Sequence, residues 1–197
     1  NFLKAVTMCY FIQVPICILM IVLAPELVIF TLGKGWEEAV FPFQILLSTI
    51  PIRIMVRMTD SLVRAVGAVY NSAARKAIYA LMVVLGSWIG HFWGLPGIAI
   101  GVAISTWLNY ILMTNLAHYL LSASYREHLS AIIPSIKIGI ITFLFLLPLT
   151  LYFRHMDLHP YVVLFVPGFT TCAVLLIVIV KKPRLFDKCV EDAVNKA

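Results

Sequence analysis

Charged residues are scarce in this chain of 197 residues, where Asp, Glu, Lys and Arg together make up only 12%. Soluble domains carry about 25% of these residues. Hydrophobic residues reach 62%, and the mean hydropathy is +0.99. A soluble domain of this length could not bury so many apolar side chains, because much of the surface of a small protein stays exposed. The composition therefore excludes a soluble globular fold and indicates that the apolar residues face lipid.

The sequence also lacks the short motifs of common catalytic and metal sites. It contains no GxxxxGK[ST] phosphate loop, no HExxH zinc pair and no GxSxG nucleophile elbow. Its 4 cysteines show no CxxC or Cys/His spacing. His155, Asp157 and His159 share one loop, where solvated polar side chains explain them better than a metal site does. We therefore predict no enzymatic activity, no metal and no cofactor.

Six apolar segments are long enough to cross a bilayer, which takes about 20 residues. Their approximate limits are 8–32, 39–60, 77–93, 97–121, 132–153 and 161–180. The sequence thus predicts an all-α, polytopic helical membrane bundle over 1–183, with about six transmembrane helices and a polar cytoplasmic tail at 184–197. The chain opens Asn1-Phe2 without a Met, which favours a fragment or a processed start.

Basic residues in the connections orient the chain, because Lys and Arg accumulate on the cytoplasmic side. Arg75 and Lys76 follow the second segment, Arg126 follows the fourth, and the richest basic run follows the sixth. We therefore predict that both termini are cytoplasmic. This topology also explains the net charge of +6 without nucleic acid. Gly- and Pro-rich connections at 33–36 and 94–97 predict tight helical hairpins on the outer side.

Polar residues inside the second segment form the strongest candidate site. The charged stripe consists of Arg53, Arg57, Asp60 and Arg64, preceded by Thr49 and continued by Asn71. At about 100° per residue, the four charged residues share a strip of helix surface about 60° wide. The inclusion of Asn71 assumes one helix from 39 to 71. The stripe is therefore predicted to be presented by a single helix face.

Charged side chains at membrane depth are costly and almost always face a bundle interior or a water-filled cavity. Three cations and one anion cannot neutralise one another, so the charged stripe predicts an anionic ligand. An alternative is that Arg57, Asp60 and Arg64 lie where the helix leaves the membrane and that the Arg side chains reach the headgroups. Arg53 lies deepest and distinguishes the two interpretations.

Small residues recur every four positions in the third and fourth segments. They are Gly86 and Gly90, followed by Gly97, Gly101 and Ser105. This spacing is typical of helices that pack closely in membranes. Asn109 adds a polar group to the fourth segment, where an interhelical hydrogen bond and the lining of a cavity are both compatible with it. We include Asn109 among the candidate binding residues.

The order of several features resembles the C-terminal half of a known transporter family. The features are the run APELVIFTLG at 24–33, Trp36 and a long helix, AVG at 65–67, the basic turn at 75–76, and GLPGIAIGVA at 94–103. This order is similar to that in polysaccharide flippases of the O-antigen and exopolysaccharide family, within the multidrug/oligosaccharidyl-lipid/polysaccharide exporter superfamily. The resemblance covers about 5–180 and rests on loose hydrophobic patterns with glycines.

The resemblance implies a fourteen-helix transporter of the bacterial inner (plasma) membrane, of which this chain is about the last six helices. The implied activity is alternating-access transfer of undecaprenyl-pyrophosphate-linked oligosaccharides to the outer leaflet for polysaccharide biosynthesis. The implied partners are this lipid-linked substrate, membrane lipids and polysaccharide assembly proteins. The family supplies no site motif that maps residue by residue. The candidate binding residues therefore rest on polarity within the membrane and are Arg53, Arg57, Asp60, Arg64, Asn71 and Asn109.

Three other functions compete with this interpretation. A cation-coupled multidrug exporter of the same superfamily is disfavoured by the positive charge of the stripe. A membrane-embedded glycan-processing enzyme is disfavoured by the short connections, which leave no room for a catalytic outer loop. A non-transporting assembly subunit remains open.

Overall fold

The computed structural model describes residues 2–121, 125–156, 162–163 and 165–171. The regular secondary structure of these residues is entirely helical, and they contain no strand. In chain order the elements are α1 (Phe2–Val22), α2 (Ala24–Leu32), a short 3-10 helix (Glu37–Ala39), α3 (Val40–Ser48), α4 (Ile50–Ala65), α5 (Val69–His91), α6 (Gly94–Leu121) and α7 (Tyr125–His155). The predicted all-α fold is confirmed.

The helices suit a membrane by length and composition. Four segments of the described chain are long and apolar enough to cross one, namely Glu37–Ala65, Val69–His91, Gly94–Leu116 and Ser135–His155. A fifth span results if α1 and α2 are taken together, although they meet at an angle of 69°. The molecule is thus a multi-pass membrane protein. Most of the predicted sixth span at 161–180, and the whole tail at 184–197, lie outside the described residues.

The first predicted span, 8–32, is two helices rather than one. Pro25 occupies the first turn of α2, and it has no backbone N–H to continue the hydrogen bonding of α1. Its ring would also clash with the carbonyl four residues earlier in a continuous helix. The chain therefore breaks at Leu23, between the end of α1 at Val22 and the start of α2 at Ala24.

Two compact units make up the chain. The first unit contains α1, α2 and nearly all of α7. Its centre is a cluster of Leu19, Leu23 and Leu146, with Ile18 and Leu27 packed against it. At Gly139 of α7, an added Cβ would lie 2.8 Å from a methyl of Val14 and 2.9 Å from Ile18. The small residue thus allows α7 to approach α1 closely.

The second unit spans 41–125 and is dominated by an antiparallel pair of helices, α5 and α6. A Cβ on Gly86 would lie 2.8 Å from the carbonyl oxygen of Gly101, and Gly90 meets Gly97 in the same way. Ser105 donates a hydrogen bond of 2.8 Å across this contact to the carbonyl of Met82. The interpretation of the small-residue pattern as a packing surface is confirmed.

Helix α4 packs against α6 and ends before α5 begins. Val63 of α4 is fully buried together with Met113 and Leu116 of α6. Gly67 then adopts φ +85° in the turn between Ala65 and Val69, a conformation that favours glycine over residues with a side chain. The single helix from 39 to 71 that the inclusion of Asn71 assumed is therefore interrupted at this turn.

Pro51 marks a second interruption, between α3 and α4. The α-helical hydrogen bonding stops at Thr49, whose buried hydroxyl donates to the carbonyl of Leu46 at 2.7 Å. The helix resumes at Ile50, and the N–H of Arg53 donates to the carbonyl of Thr49 at 3.1 Å. Arg53 therefore lies in the first turn of α4.

Candidate anion-binding site

Helix α4 has a buried face on one side and the charged stripe on the side next to it. Its buried side chains include Met55, Thr59 and Val63, which the helical period places on one side. The charged stripe occupies the neighbouring side, where Asp60 is buried, Arg53 is half-buried, and Arg57 and Arg64 are exposed. The stripe thus borders the packed face of α4 and opens away from it.

Asp60 is the best-connected member of the stripe. Its Oδ2 atom pairs with Nη2 of Arg64 at 3.0 Å and with Nζ of Lys76 at 2.8 Å. The hydroxyl of Ser72 donates to its Oδ1 atom. Lys76 and Ser72 belong to α5, so the carboxylate joins α4 to α5 across the turn at Gly67. Lys76 and Ser72 were not predicted as site residues, because their positions next to the stripe depend on this turn.

Arg53 carries a donor without an acceptor. Its Nε atom is buried and has no hydrogen-bond partner among the described residues. A buried donor that loses its hydrogen bond costs about 1–3 kcal/mol, and more when the group is charged. The next cation along the stripe, Arg57, is exposed and forms no ion pair within the described chain. A ligand would therefore have no hydrogen bond to displace at Nε of Arg53 and no ion pair to displace at Arg57.

The second unit is strongly unbalanced in charge. Between residues 41 and 125 the sequence contains one acidic residue, Asp60. The basic residues of the same stretch are Arg53, Arg57, Arg64, Arg75 and Lys76. Arg75 donates from its guanidinium to the backbone carbonyl of Leu112 in α6, which is neutral. The positive surplus is therefore not compensated within this unit.

The two predicted asparagines behave differently. Asn71 is exposed in the first turn of α5, so its prediction as a continuation of the stripe along the same helix is wrong. The helix that would have carried it there ends at Ala65. Asn109 is buried in α6, the helix that packs against α4, and no hydrogen bond joins it to the charged stripe in the described part of the chain.

An apolar groove of about 660 Å³ follows the contact between α5 and α6. It is lined by the four interface glycines and by large side chains such as Trp93 and Ile104. Its one hydroxyl group, that of Ser105, already donates to backbone carbonyls of Met82 and Gly101. The groove is thus almost wholly apolar, and its surface suits the lipid phase.

Comparisons of the chain with protein-family models, with curated protein sequences and with solved structures gave no match. The resemblance to polysaccharide flippases therefore stays an expectation from the sequence. The features of the chain that point to a function are the charged stripe and its neighbours on α5.

Proposed function

We propose that this chain is part of a membrane transporter that moves an anionic lipid-linked oligosaccharide, with an undecaprenyl-pyrophosphate carrier, to the outer leaflet of the bacterial inner membrane. The observation that carries the proposal is the buried Nε of Arg53, which has no acceptor among the residues that the structure describes. Arg53 lies within the candidate span Glu37–Ala65. Placing a cation at the centre of a transmembrane helix costs about 2.5–3.5 kcal/mol. An anionic partner would offset this cost.

The stripe fits a phosphate ligand better than a cationic one. A guanidinium group presents its N–H donors in a planar fork that matches the oxygens of a phosphate. Arg53 and Arg57 are four residues apart on α4, which separates them by about 6 Å along the helix axis. Two phosphates joined in one headgroup can therefore each meet a guanidinium. The single carboxylate of the unit is already paired with Arg64 and Lys76, which disfavours a cationic drug as the substrate.

The transport mechanism follows from the division of the substrate into two parts. The diphosphate and the sugars enter a hydrated cavity beside the charged stripe, while the polyprenyl tail stays in lipid. Alternating access then exposes the cavity to either side of the membrane. Ion coupling and the substrate gradient are both compatible energy sources.

The decisive experiment compares arginine variants in the intact protein in its native host. We expect Arg53→Ala to lower surface glycan about tenfold per molecule of transporter, with normal membrane insertion. Arg53→Lys should recover part of the export, because it keeps the charge and loses the fork. Lys34→Ala, at an exposed loop position, is the matched control and should export normally. Full export per molecule in Arg53→Ala would refute the proposal, and lost efflux of a cationic dye with intact glycan would favour a multidrug exporter.

A further inference from the structure

We propose that Asp60 is an internal competitor of the transported anion, pairing with Arg64 and Lys76 in the empty site and releasing both cations to the bound headgroup. This inference rests on the proposed function and deepens it. It adds Lys76 of α5 to the ligand site and assigns Asp60 a role in setting the affinity.

The geometry places one oxygen where a ligand oxygen would go. Oδ2 of Asp60 accepts from Arg64 at 3.0 Å and from Lys76 at 2.8 Å. The same oxygen therefore bridges cations from two helices, as a phosphate oxygen can. The Asp60 side chain is 7% exposed, whereas those of Arg64 and Lys76 are 52% and 54% exposed. About half of each cationic side chain is thus not covered by the protein, and a ligand can reach Arg64 and Lys76 without entering the packed interior.

Charge explains why the exchange can proceed. Two cations share one carboxylate, so the trio keeps a positive charge that Asp60 cannot remove. A diphosphate carries more negative charge and more acceptor oxygens than one carboxylate, and charge-assisted hydrogen bonds to it are strong. The pairs with Asp60 involve half-exposed partners, and exposed ion pairs are weak. The incoming anion therefore competes successfully for both cations.

Ser72 keeps a hydrogen bond to the carboxylate of Asp60 during this exchange. Its buried hydroxyl donates to Oδ1 of Asp60, the oxygen that does not bridge the cations. When Arg64 and Lys76 turn to the ligand, Asp60 keeps this hydrogen bond and is not left wholly without a donor, which would be costly for a buried charge. After the headgroup leaves, the carboxylate pairs with both cations again. This pairing stabilises the empty site and so favours release of the headgroup.

The test measures binding of inorganic pyrophosphate to the purified full-length protein by isothermal titration calorimetry. Removal of the competitor in Asp60→Asn should tighten binding about three- to tenfold, the range expected when weak, partly exposed ion pairs no longer have to be broken. Asp60→Glu, which keeps the charge, is the matched control and should bind with nearly the wild-type affinity.

A double-mutant comparison separates competition from a general change of electric field. In a background of Arg64→Gln and Lys76→Gln, Asp60→Asn should no longer tighten binding, because the cations that it would free are absent. A gain that persists in this background would overturn the inference. Unchanged affinity of Asp60→Asn, combined with a lower unfolding temperature, would also overturn it and would identify Asp60 as a structural link between α4 and α5.

Lys76→Gln provides an independent check if the Asp60 variants fold poorly, since Lys76 is exposed. We expect it to weaken pyrophosphate binding about fivefold, and an unchanged affinity would show that Lys76 does not join the ligand. Arg53→Ala distinguishes this inference from the proposed function. Loss of binding in Arg53→Ala with no effect of the Asp60 and Lys76 variants would refute only the competition. Wild-type affinity in Arg53→Ala would exclude Arg53 as a ligand group and refute the proposed function, whatever the Asp60 and Lys76 variants show.

Discussion

Arg154 binds both carboxylate oxygens of Glu26, with Nε donating to Oε1 at 2.7 Å and Nη2 donating to Oε2 at 3.0 Å. Nη2 also donates to the backbone carbonyl of Val22 at 3.1 Å. Val22 ends α1, and Glu26 lies in the first turn of α2. The last carbonyls of a helix have no donors within it, so the guanidinium satisfies one of them. One side chain of α7 thus holds the two halves of the broken first span.

The first prediction concerns this pair. Arg154→Leu should lower the free energy of unfolding by about 2–3 kcal/mol, because it leaves a buried carboxylate and a helix-end carbonyl without a donor. The value lies below that for fully buried pairs because the Arg154 side chain is 37% exposed. Reversible unfolding of the purified protein in mixed micelles measures it.

Two further variants control that measurement. Lys137→Leu removes an exposed cation from the same helix and should cost little. Glu26→Gln combined with Arg154→Leu should be less destabilising than the sum of the single changes, since the pair is coupled. Additive effects would contradict the role of the pair.

The second prediction tests the contact of α5 with α6. Gly101→Leu should abolish accumulation of folded protein, because any side chain at Gly101 would meet the backbone of Gly86, and backbone cannot move aside as a flexible side chain can. Gly101→Ala should already be destabilising by about 1–3 kcal/mol. Gly168→Ala is the control, since no atom of the described residues lies within 4 Å of the added Cβ. Normal protein levels in Gly101→Leu, measured by immunoblot of membranes, would disprove the close packing.

The third prediction isolates backbone strain at Gly67. Within the described part of the chain, no atom lies within 4 Å of a Cβ added there, while φ is +85°. Gly67→Ala should therefore cost about 1–2 kcal/mol from conformation alone. Gly67→Asn should cost less, because Asn tolerates the left-handed region better. Thermal unfolding of the two variants measures the difference, and equal stability of Gly67→Ala and wild type would rule out the strained turn.

The fourth prediction concerns topology. Reporter fusions at Lys34 and His91 should indicate the outer side of the membrane, and fusions at Lys76 and Arg126 the cytoplasmic side. The position at Lys34 is the most informative, because the 69° bend leaves open whether α1 and α2 together cross the membrane or turn back. A cytoplasmic signal at Lys34 would contradict the predicted topology, in which the first segment crosses from a cytoplasmic N-terminus to the outer side.

Several features of the molecule were predictable because they depend on local properties of the chain. Hydropathy over about 20 residues identified the spans, since a helix satisfies its own backbone in lipid. The four-residue spacing of Gly86, Gly90, Gly97 and Gly101 predicted a packed face, which the contact of α5 with α6 confirms. Positive φ values at Gly33 and Gly35 match the predicted turn at 33–36. Each of these signals extends over one helix or one connection.

The ion pairs were decided only by the tertiary structure. Glu26 and Arg154 are separated by 128 residues, and nothing in their immediate neighbours shows that α7 lies against the break between α1 and α2. Asp60 meets Lys76 because the turn at Gly67 folds α5 back onto α4, whereas helical periodicity extended across that turn placed Asn71 on the stripe. Sequence periodicity gives the direction of a side chain around its own helix. The partner of that side chain depends on which helices pack together. The packing of helices in turn depends on many weak contacts summed over the whole chain.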